Sequence, residues 1–436
     1  MLNFGIWNEI LNTKFLPIIV KNFNTDAFLL SLLEKDNSKI DYSGDQAIYR
    51  MHIGGNTSIG SRRYEGFANS LPEARGHQRY KKIAVDIPSH YGRVNIPGRL
   101  LRLTSKDDTT VADNLIDVLT FEINGILIDL KKEINQQMHR DGSGLICKFV
   151  SNASSNTHNI VMYNNCSITH LKLNKYVDIV ALNTTTNEWS KIKDSIYIVS
   201  ITPDSTDRTK ATIVFSDSFA TDTDKTEFYM VFEDNCWISN GTLYSSEITG
   251  LAKICNPNYK IYNITESFLL PNRVQCAAVS GGLKKPTELQ IMSVLQNAAI
   301  NGAQLNSNFY LVMSYGVKNA LVETLINSGQ KLIDTELKAG YVIQNFETGM
   351  GNIKILADPD APIGLMRCVS LDSDKIATVD SNLFNWLVDP QNGSILQNSQ
   401  LNNKDEFVAT LVGDFDLVTL QPNIHFEIYD IQETWV

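Results

Sequence analysis

The strongest periodic pattern in the chain predicts one long helix. Between residues 105 and 144, apolar residues return every three or four positions, which indicates a helix of about 30 residues. Ser105 or Asp107 can cap its start, and the sequence Asp-Gly-Ser-Gly from Asp141 ends it. A helix well above the usual length of about 11 or 12 residues is expected to serve as a structural spine. Its apolar stripe includes Val111, Leu115, Leu119, Ile123, Ile126 and Leu130.

Residues 44–104 follow the two-residue period of β-strands. Ile83, Val85 and Ile87 share one face, and a stretch rich in Gly, Asn and Ser divides the segment into two halves. The pattern predicts a long two-stranded hairpin. Because such a hairpin is not stable alone in water, it is expected to lie on another surface.

The remaining segments mix strands and helices. The pattern over residues 1–43 predicts an extended arm with one short helix near 25–34. The pattern over residues 145–240 predicts several short strands separated by turns. Residues 285–328 predict a helix, a buried strand and a second helix. The C-terminal part predicts strands, with a turn near Gly413. The fold class expected from this mixture is α+β.

Charge is distributed unevenly along the chain. The formal net charge is -10, yet residues 60–102 contain nine basic and three acidic residues, which gives +6 locally and leaves -16 for the rest. The acidic total argues against general nucleic-acid binding. A basic arm on an acidic body can dock onto a second copy of that body. The alternative is a solvated hairpin whose charges protect its edges from aggregation.

Candidate chemistry is sparse. The six cysteines form no C-x-x-C pair, and the chain lacks G-x-S-x-G, H-E-x-x-H and G-x-G-x-x-G motifs. His158, Cys166 and His170 come nearest to a metal-binding cluster, but their strand-and-turn context disfavours one. We therefore expect no cofactor, no metal and no enzymatic activity. The absence of a long apolar run and of a signal peptide predicts a soluble, non-secreted protein that does not contact membranes.

The order of these segments resembles a known family. The basic hairpin "LPEARGHQRYKKIAVDIPSHYGRVNIPGRLLRL" precedes the helix "DDTTVADNLIDVLTFEINGILIDLKKEINQQMHRDGSGLI", and a β-rich insertion, the segment "EITGLAKIC" and the helix, strand, helix block follow. This succession is similar to that of tailed-bacteriophage major capsid proteins of the HK97 fold. The similarity covers most of the chain and is strongest over residues 71–145.

The resemblance implies a division of the chain into named parts. These are an N-terminal arm (1–43), an E-loop hairpin (44–104), the spine helix of a P-domain (105–144), a β-rich insertion (145–240), an A-domain (241–370) and C-terminal strands that return to the P- and A-domain sheets (371–436). The E-loop would lie across the P-domain of a neighbouring subunit. Its contacting residues would be Arg62, Arg63, Arg75, Arg79, Lys81, Lys82, Arg93 and Arg99.

The resemblance also implies a function. Copies of the chain would assemble as pentamers and hexamers into an icosahedral or prolate shell, in the host bacterial cytoplasm, and the shell would become the capsid of a virion. It would enclose double-stranded DNA without sequence-specific binding, and portal, scaffolding and decoration proteins would be further partners. Two alternatives are an encapsulin-type nanocompartment shell, which the β-rich insertion disfavours, and a soluble enzyme with an unrecognised site.

Overall fold

Strands dominate the computed structural model, and one helix is much longer than the others. The structure describes residues 11–17, 19, 28–36, 46–55, 76–98, 109–154, 156–163, 165–205, 207–219, 226–233, 235–259, 261–276, 283–300, 309–327, 333–338, 341–348, 351–390, 393–398 and 406–434. Its helices are α1 (Phe28–Leu32), α2 (Thr109–His139), α3 (Leu251–Cys255), α4 (Glu288–Ile300) and α5 (Tyr315–Asn327). Short π- or 3-10-helical turns lie at Leu11–Phe15, Ile168–His170, Ile261–Asn263, Ser267–Leu269 and Pro422–Ile424.

The strands in chain order complete the α+β architecture, so the predicted fold class is confirmed. They are β1 (Glu34–Asp36), β2 (Gln46–Gly54), β3 (Arg79–Asp86), β4 (Ser89–Pro97), β5 (Leu145–Ser154), β6 (Thr157–Met162), β7 (Tyr176–Asn183), β8 (Glu188–Pro203), β9 (Lys210–Phe215), β10 (Thr226–Phe232), β11 (Cys236–Ser239), β12 (Thr242–Ser245), β13 (Asn272–Gln275), β14 (Phe309–Met313), β15 (Ile333–Lys338), β16 (Tyr341–Thr348), β17 (Gly351–Ala357), β18 (Met366–Ser370), β19 (Asp374–Thr378), β20 (Asn385–Trp386), β21 (Leu396–Asn398), β22 (Glu406–Thr419) and β23 (Phe426–Tyr429).

The predicted hairpin is present but shorter than residues 44–104. Strands β2 and β3 pair in antiparallel fashion, from Gln46 opposite Asp86 to Gly54 opposite Arg79. Strand β4 leaves the hairpin and pairs with β22 instead. The prediction was wrong about β4 because a two-residue period marks a half-buried strand without identifying its partner.

Strand β22 is the centre of a six-stranded sheet. The order is β1-β19-β22-β20, and β4 and β21 also pair with β22. The turn predicted near Gly413 is wrong, because β22 continues through this position for 14 residues. A Cβ atom at Gly413 would lie 2.4 Å from the Leu383 carbonyl oxygen and 2.7 Å from the Phe384 ring. The glycine therefore permits a close approach of two segments and does not mark a turn.

Residues 145–232 form a separate β-structure. The predicted strands are present, and six of them close into a barrel in the order β10-β5-β6-β9-β8-β7. Its apolar interior contains side chains from every strand, among them Ile146, Ile160, Ile179, Ile198, Ile213 and Met230. The ribbon β11–β12 packs Cys236, Ile238 and Leu243 against a second apolar cluster of barrel residues.

A seven-stranded mixed sheet holds the predicted helix, strand, helix block. Its order is β13-β23-β18-β14-β17-β16-β15, and β14 is buried along its whole length. Helix α4 follows Thr287, whose hydroxyl accepts a hydrogen bond from the Gln290 backbone N–H. Buried residues of α4 and α5 contribute to the same apolar cluster as one face of this sheet. This part of the sequence prediction is confirmed.

Helix α2 is the predicted spine. Ile123, Leu127, Ile134 and Met138 are buried in the largest apolar cluster, which also contains residues of β2, β3, β4 and β22. Among the described residues, no helix combines the length and apolar character needed to cross a membrane.

Candidate assembly surfaces

The basic residues predicted to contact a neighbour fall into two groups. Arg62, Arg63, Arg75 and Arg99 lie outside the described residues. Arg79 and Lys82 are exposed on β3, and Arg93 is exposed on β4. These three cations are therefore available for contacts with another molecule.

Lys81 contacts its own chain. Its Nζ donates a hydrogen bond to the Asn263 carbonyl oxygen at 2.9 Å and lies 3.8 Å from a carboxylate oxygen of Glu266. The lysine thus fastens the hairpin to the turn at Ile261–Asn263. Its contact with a neighbouring subunit stays a prediction.

The hairpin also rests on its own body through its apolar face. Ala47, Tyr49, Met51, Ile83 and Val85 are all buried and belong to the largest apolar cluster. The expected supporting surface is therefore supplied, for the base of the hairpin, by the same subunit.

Strand β4 crosses the spine helix at a glycine. A Cβ atom at Gly92 would lie 3.2 Å from the Ile126 side chain and 3.5 Å from that of Leu130, so a larger residue would separate strand and helix. Ile126 and Leu130 are partly buried here, as members of the predicted stripe. Beside this crossing lies a pocket of about 310 Å³ lined by Arg93, Asp129, Glu133 and Lys172 among others.

The spine helix has a second apolar face that the sequence analysis missed. Phe121 is 79% exposed and Ile128 is 65% exposed. Their separation of seven residues places them on one side of the helix, two turns apart. Ile123 of the predicted stripe is buried, whereas the side chains of Val111, Leu115 and Leu119 lie outside the described part. In the sequence, this face could have been recognised from Phe121 and Ile128, two large apolar residues that lie outside the predicted stripe.

Buried charges join the C-terminal end of the spine to the segment after the barrel. The guanidinium of Arg140 lies 2.5 Å from a carboxylate oxygen of Glu247, and both side chains are buried. Glu133 is 3.7 Å from Arg140 and 3.6 Å from Lys172. Burial raises the pKa of Glu247, and it outweighs the lowering effect of Arg140. The ionised form of Glu247 is therefore stabilised by the guanidinium of Arg140.

A second buried network joins the spine to the turn at 358–360. The His139 imidazole lies 3.0 Å from a carboxylate oxygen of Asp358, and Asn135 donates hydrogen bonds to both Asp358 and Asp360. Burial alone would raise the pKa of Asp358, but His139 and the hydrogen bonds outweigh burial and lower it. His170 of the barrel segment is 3.0 Å from the Asp360 carbonyl oxygen.

Arg367 extends this network into the seven-stranded sheet. Its guanidinium donates to Glu427, to the Asn165 side chain and to the His139 carbonyl oxygen, at 3.0, 2.6 and 2.8 Å. Barrel, spine and sheet thus meet in one set of buried polar contacts. Such networks fix relative orientation strongly, because breaking any member leaves a buried polar group unpaired.

The structure gives packing and hydrogen-bonding roles to His158 and to several other polar side chains. His158 stacks on Phe219 with ring centroids 4.1 Å apart, and the Ser143 hydroxyl donates to Asp141. Ser373 and Asp374 both contact the same nitrogen, Nε2 of buried His425, so they do not form a proton relay. Across the described ranges, no group of three or more His, Cys, Asp or Glu side chains could hold a metal ion.

Comparisons with known proteins give structural likenesses only. The sequence matches no protein-family model and no curated protein. The structure is similar to a chain of the cyanophage A-1(L) capsid asymmetric unit, with 14% identity, 93% of both chains covered and a TM-score of 0.47. It is also similar to a chain of the satellite phage P4 procapsid, with 10% identity, 97% of this chain and 98% of that chain covered and a TM-score of 0.42.

A third likeness is to the holo-SrpI encapsulin complex from Synechococcus elongatus. The identity is 11%, the coverage is 94% of this chain and 91% of that chain, and the TM-score is 0.39. All three scores are below 0.5. The function proposed next therefore rests on the residues and geometry of this chain.

Proposed function

We propose that this chain is the major capsid protein of a tailed bacteriophage, with an HK97-like fold. The observation that carries the proposal is the succession of hairpin, 31-residue helix, barrel and helix-flanked sheet, joined by buried polar networks into one body. This order is the one that the sequence resemblance implies. A shell subunit needs such a rigid body together with surfaces that bind further copies of itself.

Two described surfaces support self-assembly. The spine presents Phe121 and Ile128 to solvent on one side of the helix, and exposed apolar patches are typical of surfaces that a partner covers. Arg79, Lys82 and Arg93 present positive charge on a chain of net charge -10. In this proposal the E-loop of one subunit extends from β2 and β3 onto the spine of the next, and repeated head-to-tail contacts close pentamers and hexamers.

The same proposal gives the location and the partners of the protein. The shell would assemble in the host bacterial cytoplasm, become the capsid of the virion and hold double-stranded DNA without sequence-specific contacts. Portal, scaffolding and decoration proteins would bind the assembled shell. No catalytic activity is assigned to the subunit.

Electron microscopy of the purified chain tests the proposal. Negative-stain images, with and without double-stranded DNA, should contain closed shells of uniform size. A chain that stays monomeric under all assembly conditions contradicts the proposal. Shells that recruit a protein cargo and exclude DNA would favour the encapsulin-type alternative.

A matched deletion tests the role of the arm. Removal of residues 61–75 leaves β2 and β3, whose apolar face is buried on the same subunit, so the variant should remain folded. It should nevertheless form no shells. Normal shells from the deletion variant would remove the arm from the assembly mechanism, and an unfolded variant would make the arm part of the subunit core.

A further inference from the structure

Three exposed aromatic side chains line one cleft beside the ribbon β11–β12. Trp237 and Tyr244 face each other across the ribbon, with ring centroids 5.5 Å apart and planes 12° apart. They are 51% and 45% exposed, and Tyr91 of β4, which is 57% exposed, also lines the cleft. The cleft has a volume of about 800 Å³ and is lined further by residues of the β3–β4 corner, such as Asp86 and Pro88.

The outward position of these rings follows from strand alternation. Cys236, Ile238 and Leu243 occupy the face of the ribbon that packs against the barrel. Trp237 and Tyr244 therefore fall on the opposite face, where this subunit leaves them uncovered. Exposed Trp and Tyr side chains are enriched where a protein partner binds, because each combines a large apolar area with a polar group.

The chemistry of the cleft suits a guanidinium group. Asp86 is exposed at the cleft, whereas Asp416 is buried and its carboxyl group accepts hydrogen bonds from Thr249 and Leu417. Aromatic faces attract cations, and an adjacent carboxylate adds an ion pair. The chain uses the ring contact elsewhere, since the Arg273 guanidinium lies 3.8 Å from the centroid of the Tyr429 ring.

The position of the cleft indicates where the guanidinium comes from. The segment 56–75 carries Arg62, Arg63 and Arg75 and joins Gly54 of β2 to Arg79 of β3. The cleft lies at the other end of the hairpin, beside Asp86, about 24 Å along the strand from Arg79 at about 3.4 Å per residue. The segment of one copy thus leaves the hairpin at the end remote from the cleft of the same copy.

We propose that the cleft lined by Trp237, Tyr244 and Tyr91 is the acceptor site for residues 56–75 of a second copy of this chain, with arginine side chains seated on the rings. The inference rests on the proposed function, because an assembled shell supplies the second copy. It makes the contact head-to-tail, from the tip of one hairpin to the base of the next, which is the kind of contact that closes rings.

A synthetic peptide provides the test. A fluorescently labelled peptide of residues 56–78 is titrated into unassembled full-length subunits, and its anisotropy gives the dissociation constant. Trp237→Ala and Tyr244→Ala should each weaken binding about tenfold, the effect expected from loss of a partly desolvated cation–ring contact. Tyr176→Ala, which removes a similarly exposed tyrosine from the barrel surface, should change the dissociation constant by less than about twofold.

A second peptide distinguishes recognition of the arginine side chains from nonspecific binding. With Arg62, Arg63 and Arg75 each replaced by Gln, the peptide should bind about tenfold more weakly than the native one. Equal binding of both peptides, or unchanged binding to Trp237→Ala, overturns the proposal and leaves the cleft to a different ligand. Electron microscopy of the same subunits keeps the two ideas apart, because shells without peptide binding contradict only the acceptor site, whereas absence of shells contradicts the proposed function.

Discussion

At the scale of single residues, the Arg140–Glu247 pair gives the clearest dependence of stability on one contact. Both side chains are buried, and Arg140 is held between Glu247 and Glu133. Removing one member of a buried ion pair costs about 3–5 kcal/mol when the other charge is left uncompensated, but Glu133 still lies 3.7 Å from Arg140 after Glu247 is removed. Glu247→Leu should therefore lower the free energy of unfolding by up to about that amount, measured by urea denaturation of the monomer.

A surface pair of the same geometry supplies the control. Lys148 and Glu227 are also 2.5 Å apart, but both remain partly open to solvent. Exposed ion pairs contribute about 0–1 kcal/mol, so Glu227→Leu should change stability little. Equal losses for the two variants would mean that burial does not strengthen the Arg140 contact.

The raised pKa of the Asp416 carboxyl group predicts that stability depends on pH. Burial raises the pKa of its carboxyl group to about 7, although hydrogen bonds from Thr249 and Leu417 oppose the shift. Between the lower pKa of the unfolded state and about pH 7, the folded chain holds a proton that the unfolded chain has lost. Stability contributed by this group is therefore full at low pH and falls as the pH rises through this window, by an amount on the order of a few kcal/mol.

The Asp416→Asn variant isolates this contribution. Its amide oxygen can still accept hydrogen bonds but does not titrate, so the fall in thermal midpoint between pH 5 and pH 8 should be smaller than in the unmodified chain. Asp194→Asn, at an exposed position, should retain the original fall. If all three proteins have the same pH profile, Asp416 does not carry the effect.

At the scale of elements, periodicity identified strands and helices better than it identified their partners. The spine helix and the helix, strand, helix block were predictable because each has a complete apolar period of its own. The pairing of β4 with β22 was not, because β4 has the same alternation as the hairpin strands. Gly413 misled the prediction, since a glycine can equally permit close packing within a strand.

The candidate site was less predictable than the fold. The basic residues of the arm follow from local charge, and the segment as a whole could be recognised in the sequence. The ring pair Trp237 and Tyr244 depends on ribbon pairing and on which face the barrel covers, and neither is encoded in the spacing of two aromatic residues. Buried contacts such as Arg367 with Asn165 join positions 202 residues apart, and their spacing carries no local signal.

The barrel should fold as an independent element. Every buried member of its main apolar cluster lies between Ile146 and Phe232, so a fragment of residues 144–245 contains the complete core. It should give a β-type circular dichroism spectrum and a cooperative thermal transition. A fragment ending at residue 225 lacks β10, which joins β5 to β7, and should be unfolded. An unfolded longer fragment would show that the barrel requires the rest of the subunit.

At the scale of the whole molecule, charge should have opposite effects on two contacts of a DNA-filled shell. One is the contact of the shell with DNA, and the other is the contact between subunits. A net charge of -10 per copy should make an assembled shell bind DNA weakly, which suits a genome that must move during packaging. Subunit docking, in contrast, is expected to use the exposed cations of the hairpin. The two contacts should therefore respond oppositely to added salt.

The salt dependence of assembly tests this separation. Exposed charges are screened beyond a Debye length of about 8 Å at physiological ionic strength, so assembly followed by light scattering should slow as salt rises. Arg79→Glu with Lys82→Glu should slow assembly at low salt and flatten its salt dependence, because both residues are exposed on β3. Lys193→Glu with Lys210→Glu makes the same charge change on the barrel and should assemble almost normally. Identical kinetics for the two double variants would leave the contacts of residues 56–75 with Trp237 and with the spine as the cause of docking.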